Sequence, residues 1–122
     1  MTLLSAPITH RMHGAVFAAY VAPSSGSTEL CAWRVVVDPG VAGQAHRITK
    51  EEVFLVLGGR PVLTVDGEQH ELEAGGVVLA RAGSQVRLDN PAAEAAELWV
   101  TTSVGLTAEL ADGTRIAPPW TQ

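Results

Sequence analysis

The sequence predicts an all-β domain, and three observations carry that prediction. No stretch sustains an apolar period near 3.6, so no amphipathic helix is indicated. Short runs rich in Val, Leu, Thr and Ile recur along the chain, separated by Gly, Pro, Asp and Asn. Two Asp-Gly pairs, at 66–67 and 112–113, each sit between β-rich runs. Asp-Gly suits a tight hairpin because both central positions need positive φ. At 122 residues the chain has room for one domain with a real core, and too little for two.

The elements follow in order. The first strand is expected over 14–20, with Phe17 and Tyr20 able to close a cavity or cover an outer sheet. A polar loop over 23–28 leads into a strand over 28–37. There Cys31, Trp33, Val35 and Val37 share one face, and Ala32, Arg34 and Val36 share the other. Arg34 marks its own face as the more exposed. Trp33 is therefore expected to point inward, either lining a cavity or packing the core. Asp38-Pro39-Gly40 is a turn that ends this strand. Strands over 45–48 and 52–57 come next. The run Val53–Leu57 is apolar at every position, whereas a strand with one wet face would alternate. Both of its faces are expected to be covered, one by the barrel interior and the other by a second sheet or a second subunit.

Asp66-Gly67 joins 61–66 and 69–72 as a hairpin. Strands over 77–80 and 85–89 flank Gly83, read as the pivot of a tight turn. Asn90-Pro91 opens a further turn, and 92–96 is a short helical turn or a loop. The strand over 97–103 carries Trp99, whose face parity alone does not choose. Asp112-Gly113 joins 107–111 to 114–117. The tail from Ala117 through Pro118, Pro119 and Trp120 cannot continue a ladder. It is expected to lie across the surface with Trp120 as an anchor.

Charge and composition exclude several functions. The formal net charge is −5, and the seven arginines and one lysine are scattered rather than striped, which argues against nucleic acid. Cys31 is the only cysteine, so neither an intramolecular disulfide nor a cysteine metal cluster can form. The start, Met1–Pro7, has no basic region ahead of a long apolar core and is not read as a signal peptide. The longest apolar stretch, Ala15–Ala22, is far short of a membrane span. A cytoplasmic protein with no membrane partner is expected.

Two stretches carry more. Gly40–Gly59 holds His46 six residues before Glu52, then a β-rich run and a Gly-Gly pair. Gly75–Asn90 follows a hairpin and holds Gly83 and Asn90. Together, over roughly residues 28–104, they resemble the paired motifs of the cupin superfamily. The first family motif is a glycine, five residues, His-x-His, three or four residues, Glu, six residues and a glycine. Gly40, His46, Glu52 and Gly59 match it, with Ile48 in place of the second histidine. The second is a glycine, five residues, Pro-x-Gly, two residues, His, three residues and Asn. Gly75, Gly83 and Asn90 match, with Arg81 for the proline and Val86 for the histidine. The resemblance implies a small jelly-roll β-barrel of two antiparallel sheets. It would span 1–122, with the N-terminal strand and C-terminal tail packing on the motif-bearing core.

In that family three histidines and a glutamate hold Fe, Mn, Ni or Zn inside the barrel. Here His46 and Glu52 remain, and Ile48 and Val86 border the same space. Loss of two ligands to aliphatic side chains favours an apolar pocket without a metal cofactor. If a metal is present, His46 and Glu52 are its ligands, and His10 or His13 could add one only if the N-terminal strand closed the barrel mouth. Without one, His46 and Glu52 are an ionisable pair suited to moving a proton at neutral pH. The alternative is a relic pair satisfied within the core. The expected ligand is a small, mostly apolar organic molecule, bordered by Trp33, Ile48, Phe54, Val86 and Trp99. The resemblance implies bacterial catabolic or secondary metabolism, as an isomerase, cyclase, dehydratase or decarboxylase. A metal-dependent cupin enzyme such as a dioxygenase, and a non-catalytic sensing or binding module, are the other two readings. The apolar 53–57 strand and the family habit of pairing predict a homodimer.

Overall fold

The computed structural model describes residues 2–4 and 6–122; Met1 and Ser5, part of the stretch read for a signal peptide, lie outside them. Twelve strands form two six-stranded sheets among the described residues. In chain order they are β1 (Ile8–Met12), β2 (Ala15–Val21), β3 (Leu30–Val37), β4 (His46–Ile48), β5 (Glu52–Gly58) and β6 (Val62–Val65). Then come β7 (Glu68–Glu71), β8 (Val77–Ala80), β9 (Gln85–Asp89), β10 (Ala96–Ser103), β11 (Ala108–Leu110) and β12 (Arg115–Ile116). The first sheet has the order β1-β2-β3-β10-β5-β8 and the second β12-β11-β4-β9-β6-β7. Every ladder in both is antiparallel. This is the jelly roll that the sequence led us to expect.

Alternation decides which side chains meet between the sheets. On β3, Cys31, Trp33, Val35 and Val37 are buried in the core, as their shared parity predicted. On β10 the inward set is Ala96, Leu98, Val100 and Thr102. On β5, Glu52, Phe54 and Val56 are buried. The opposite face of β5 is not covered by a second sheet. Val53 and Leu55 are half-buried there, and Leu57 is 44% exposed.

Two turns show how short-range chemistry sets the topology. Asp66 and Gly67 both have positive φ, 49° and 81°, the twist that a two-residue hairpin demands. His13 and Gly14 repeat that geometry, with φ of 50° and 76°, and fold β1 back on β2. β1 was not foreseen: Thr9, His10 and Arg11 show no apolar alternation, and β2 alone defines the strand by pairing with it. The Asp112-Gly113 hairpin forms, but only Gly113 has positive φ; the Asp112 carboxylate accepts from the Thr114 N–H instead. Residues 92–94 form a bend rather than a helical turn.

Asn90 ties the two sheets together. It is fully buried at the end of β9. Its side-chain amide donates to the carbonyls of Val37 (3.1 Å), Asp38 (3.2 Å) and Glu94 (2.8 Å). Its side-chain oxygen accepts from the Ala92 N–H at 3.2 Å, and its backbone N–H donates to Val41. One residue thus joins the second sheet, the end of β3 in the first sheet and the loop into β10. Asn90→Ala should strand buried carbonyls and lower unfolding free energy by about 2–4 kcal/mol. Asn90→Asp should cost at least as much, because it sets an acceptor against acceptors. Urea unfolding checks both, and a loss below about 0.5 kcal/mol in each would contradict this role.

Candidate functional site

A cavity of about 300 Å³ lies between the sheets. Its walls come from β1 to β5, β9 to β12 and the C-terminal tail, and are mostly apolar. Four lining residues carry an imidazole, amide or carboxyl group: His13, Gln44, His46 and Glu52. His13 and Gln44 are exposed and mark the mouth. Gly43, also in the lining, approaches the β9 backbone so closely that a Cβ there would overlap the Leu88 carbonyl. Its N–H donates to the Asp89 carboxylate at 2.8 Å.

Glu52 opens β5, level with Ala80 on β8. The inward parity it shares with Phe54 aims it between the sheets, where it is 4% exposed. No fully sealed side-chain polar atom is left unpaired among the described residues, so the carboxyl group fronts the cavity itself. Burial alone pushes its pKa up to about 7, because no cation lies near enough to stabilise the charge. Below neutral pH Glu52 is therefore mostly a carboxylic acid, and near pH 7 its protonated and ionised forms coexist.

His46 stands on β4, between Val86 on β9 and Leu110 on β11. Its Nδ1 is 3.0 Å from the Gln44 carbonyl. A carbonyl can only accept, so Nδ1 holds a proton. In the neutral ring that leaves Nε2 as the basic nitrogen. His46 and Glu52 share the cavity wall, but no hydrogen bond or ion pair joins them.

The remaining expected residues divide. Trp33, Phe54 and Val86 line the cavity. Ile48 does not; it is packed in the core, 1% exposed. Trp99 does not either. It has the outward parity of β10 and meets Tyr20 on the outer face, ring centroids 5.5 Å apart. Beside it, Arg34 donates to Glu97 at 2.6 Å and holds that carboxyl below its usual range. Phe17 points inward and Tyr20 outward, a choice that the sequence left open. Trp120 is the largest correction: it is buried in the cavity wall, not laid on the surface. The signal that could have found it was a tryptophan after two prolines, a large side chain with no ladder to hold it.

The donor set does not fit a transition metal. Val86 faces His46 from the neighbouring strand, where the family has a ligand, and no group of three or more His, Cys, Asp or Glu converges among the described residues.

Comparison with known proteins agrees with the architecture. The cupin domain family matches residues 33–102, more than half of the chain. No curated protein matches the sequence. Among solved structures, an RmlC-like cupin from Shewanella frigidimarina is 21% identical, with a TM-score of 0.69 over 80% of this chain and 83% of that one. The polyketide cyclase RemF from Streptomyces resistomycificus is 15% identical, with a TM-score of 0.70 over 82% and 73%. Salicylate 1,2-dioxygenase from Pseudoaminobacter salicylatoxidans is 16% identical, with a TM-score of 0.73 over 85% of this chain and 31% of that one. At these identities the likeness is one of fold.

The raised Glu52 pKa has a consequence for stability. The folded protein holds this proton more tightly than the unfolded chain, whose glutamate has the ordinary value of 4.5. The Glu52 contribution is thus most favourable below pH 4.5, declines as pH rises to about 7, and is lost above it. Glu52→Gln should flatten that decline. Urea midpoints at pH 5 and pH 8 check this, and an unchanged difference between the two proteins would contradict it.

Proposed function

The chain belongs to the cupin family, and we propose that its barrel binds a small, mostly apolar organic molecule and acts on it by acid/base catalysis without a metal. The observation that carries this is the buried carboxyl of Glu52, which shares an apolar cavity with an imidazole of fixed tautomer. Glu52 would donate its proton to a carbonyl oxygen of the ligand. His46 Nε2 would take a proton from the adjacent carbon. The C–H bond breaks, its electron pair becomes the C=C bond of an enol, and the O–H bond forms. Where that enol is conjugated with a second C=C, return of the His46 proton to the far carbon of the dienol, with the O–H proton going back to Glu52, completes an isomerisation. Attack of the enol carbon on a second carbonyl forms the C–C bond, breaks that C=O π bond and passes the His46 proton to its oxygen, which completes a cyclisation. Glu52 regains its proton when the carbonyl re-forms. The polyketide cyclase that shares this fold makes cyclisation a reasonable form of the reaction. A cytoplasmic setting fits the lone buried thiol of Cys31.

We also propose a homodimer through the outer face of the first sheet. Val53 pairs with Leu79 and Leu55 with Val77 across β5 and β8. Leu57, Val77 and Leu79 are 44%, 62% and 55% exposed, an apolar stripe that a two-fold related copy would cover. Light scattering at tens of micromolar should give twice the chain mass, and Leu79→Glu should give the monomer. A wild-type monomer would sink this arrangement.

Native mass spectrometry of the purified protein can identify the bound ligand. With that ligand or its relatives, Glu52→Gln and His46→Ala should each lower turnover by about 10²–10⁴-fold. Turnover should survive dialysis against a chelator and fall above about pH 7 as Glu52 ionises. Equal turnover in both variants would reject the acid/base roles. A ligand that is retained and never converted would favour a binding module.

A further inference from the structure

Among the described residues, no ladder joins the two sheets at their β1 and β12 edges. The chain leaves β12 in the second sheet and crosses to the first as a strap. Pro118 and Trp120 on that strap both line the cavity. Trp120 is 8% exposed and stacks flat on Phe17, with ring centroids 3.6 Å apart and planes 5° apart. Trp33 closes the cluster at 6.4 Å. The strap is tied down beyond Trp120. The Ser24 N–H donates to the Gln122 carbonyl at 2.9 Å, and the buried Cys31 Sγ–H donates to the Thr121 carbonyl at 3.6 Å. The Thr121 hydroxyl donates to the Pro118 carbonyl at 2.7 Å, closing a tight turn around the indole.

From this geometry we infer that Trp120 is a specificity-determining residue: the C-terminal strap forms one wall of the cavity and limits the length of ligand it admits. The inference rests on the reading of the cavity as a ligand site. Its chemistry also narrows the ligand. The wall made by Phe17, Trp33 and Trp120 offers flat aromatic surface, and Phe54 adds another ring. An apolar cavity of roughly 150 Å³ suffices for benzene. The 300 Å³ here suits a flat, uncharged molecule of about two fused rings. A third ring would meet Trp120.

A series with one common acetyl group tests this: acetophenone, 2-acetonaphthone and 2-acetylanthracene, with one, two and three rings. Wild-type protein should bind the first two and reject the third. Trp120→Ala should bind 2-acetylanthracene at least 10-fold more tightly than wild type, without a matching gain for acetophenone. Trp99→Phe, on the outer face, should behave as wild type. Circular dichroism reports whether Trp120→Ala folds. Should it not fold, the intact protein decides, because its three tryptophans give three indole N–H signals in a ¹⁵N correlation spectrum. Titration with 2-acetonaphthone should move the Trp120 signal saturably and leave Trp99 in place. Binding that moves Trp33 but not Trp120 would overturn the strap's role and leave the cavity reading intact. If no probe moves Trp33 or Trp120, the cavity reading falls and this inference falls with it.

Discussion

The structure depends on one buried carboxamide. Asn90 is where the second sheet is bonded to the end of β3 and to the loop that begins β10. A hydrophobic interface alone has no fixed spacing; two sheets would slide toward whatever packing removed most apolar surface from water. An amide with its donors and acceptor all engaged is directional, and moving it exposes several unsatisfied carbonyls at once. This holds the sheets in one relation at the end where Val41 bridges to Asn90 and Gly43 runs against the Leu88 backbone. Gln44 at the mouth and His46 on the wall follow soon after that anchor in the chain.

The fixed relation leaves space between the sheets that side chains do not fill. Around it the core is ordinary, built from Val35, Val56, Leu63, Leu98 and Val100. Within it lies a carboxyl group that burial alone perturbs. Such a group gains nothing for folding: it gives up hydration and receives no cation in return. His46 and Glu52 do not hydrogen-bond to each other, and His46 gives its Nδ1–H to a backbone carbonyl. Two polar groups that remain unspent toward one apolar space are what a ligand with a polar handle requires.

The family ligand set shows how a fold keeps its frame while its site changes. Gly40, Gly75 and Gly83 all hold positive φ, so the turns of both motifs survive. Asn90, the last residue of the second motif, survives as the sheet tie. Of the three departures, Arg81 is exposed; the other two, Ile48 and Val86, are buried, and Val86 faces His46 from the next strand. An aliphatic residue there costs the frame nothing, because the position is buried on both accounts. Interior side chains can change while the barrel stays in place.

Much of this was legible in the sequence because it is local. Turn residues report backbone conformation at their own position, so Asp66-Gly67 and Gly83 could be read directly. Strict alternation on β3 assigned Trp33 and its neighbours to the interior. The motif spacing brought His46, Glu52 and Val86 to one cavity. Other features depended on what packs across a gap, which no short window contains. β1 is polar and exists as a strand only because β2 offers it a ladder. Trp99 alternates outward, and Ile48 is packed in the core outside the cavity lining. Trp120 follows two prolines and has no ladder of its own. Its place was decided by the opening between the β1 and β12 edges, which appears only once both sheets are assembled.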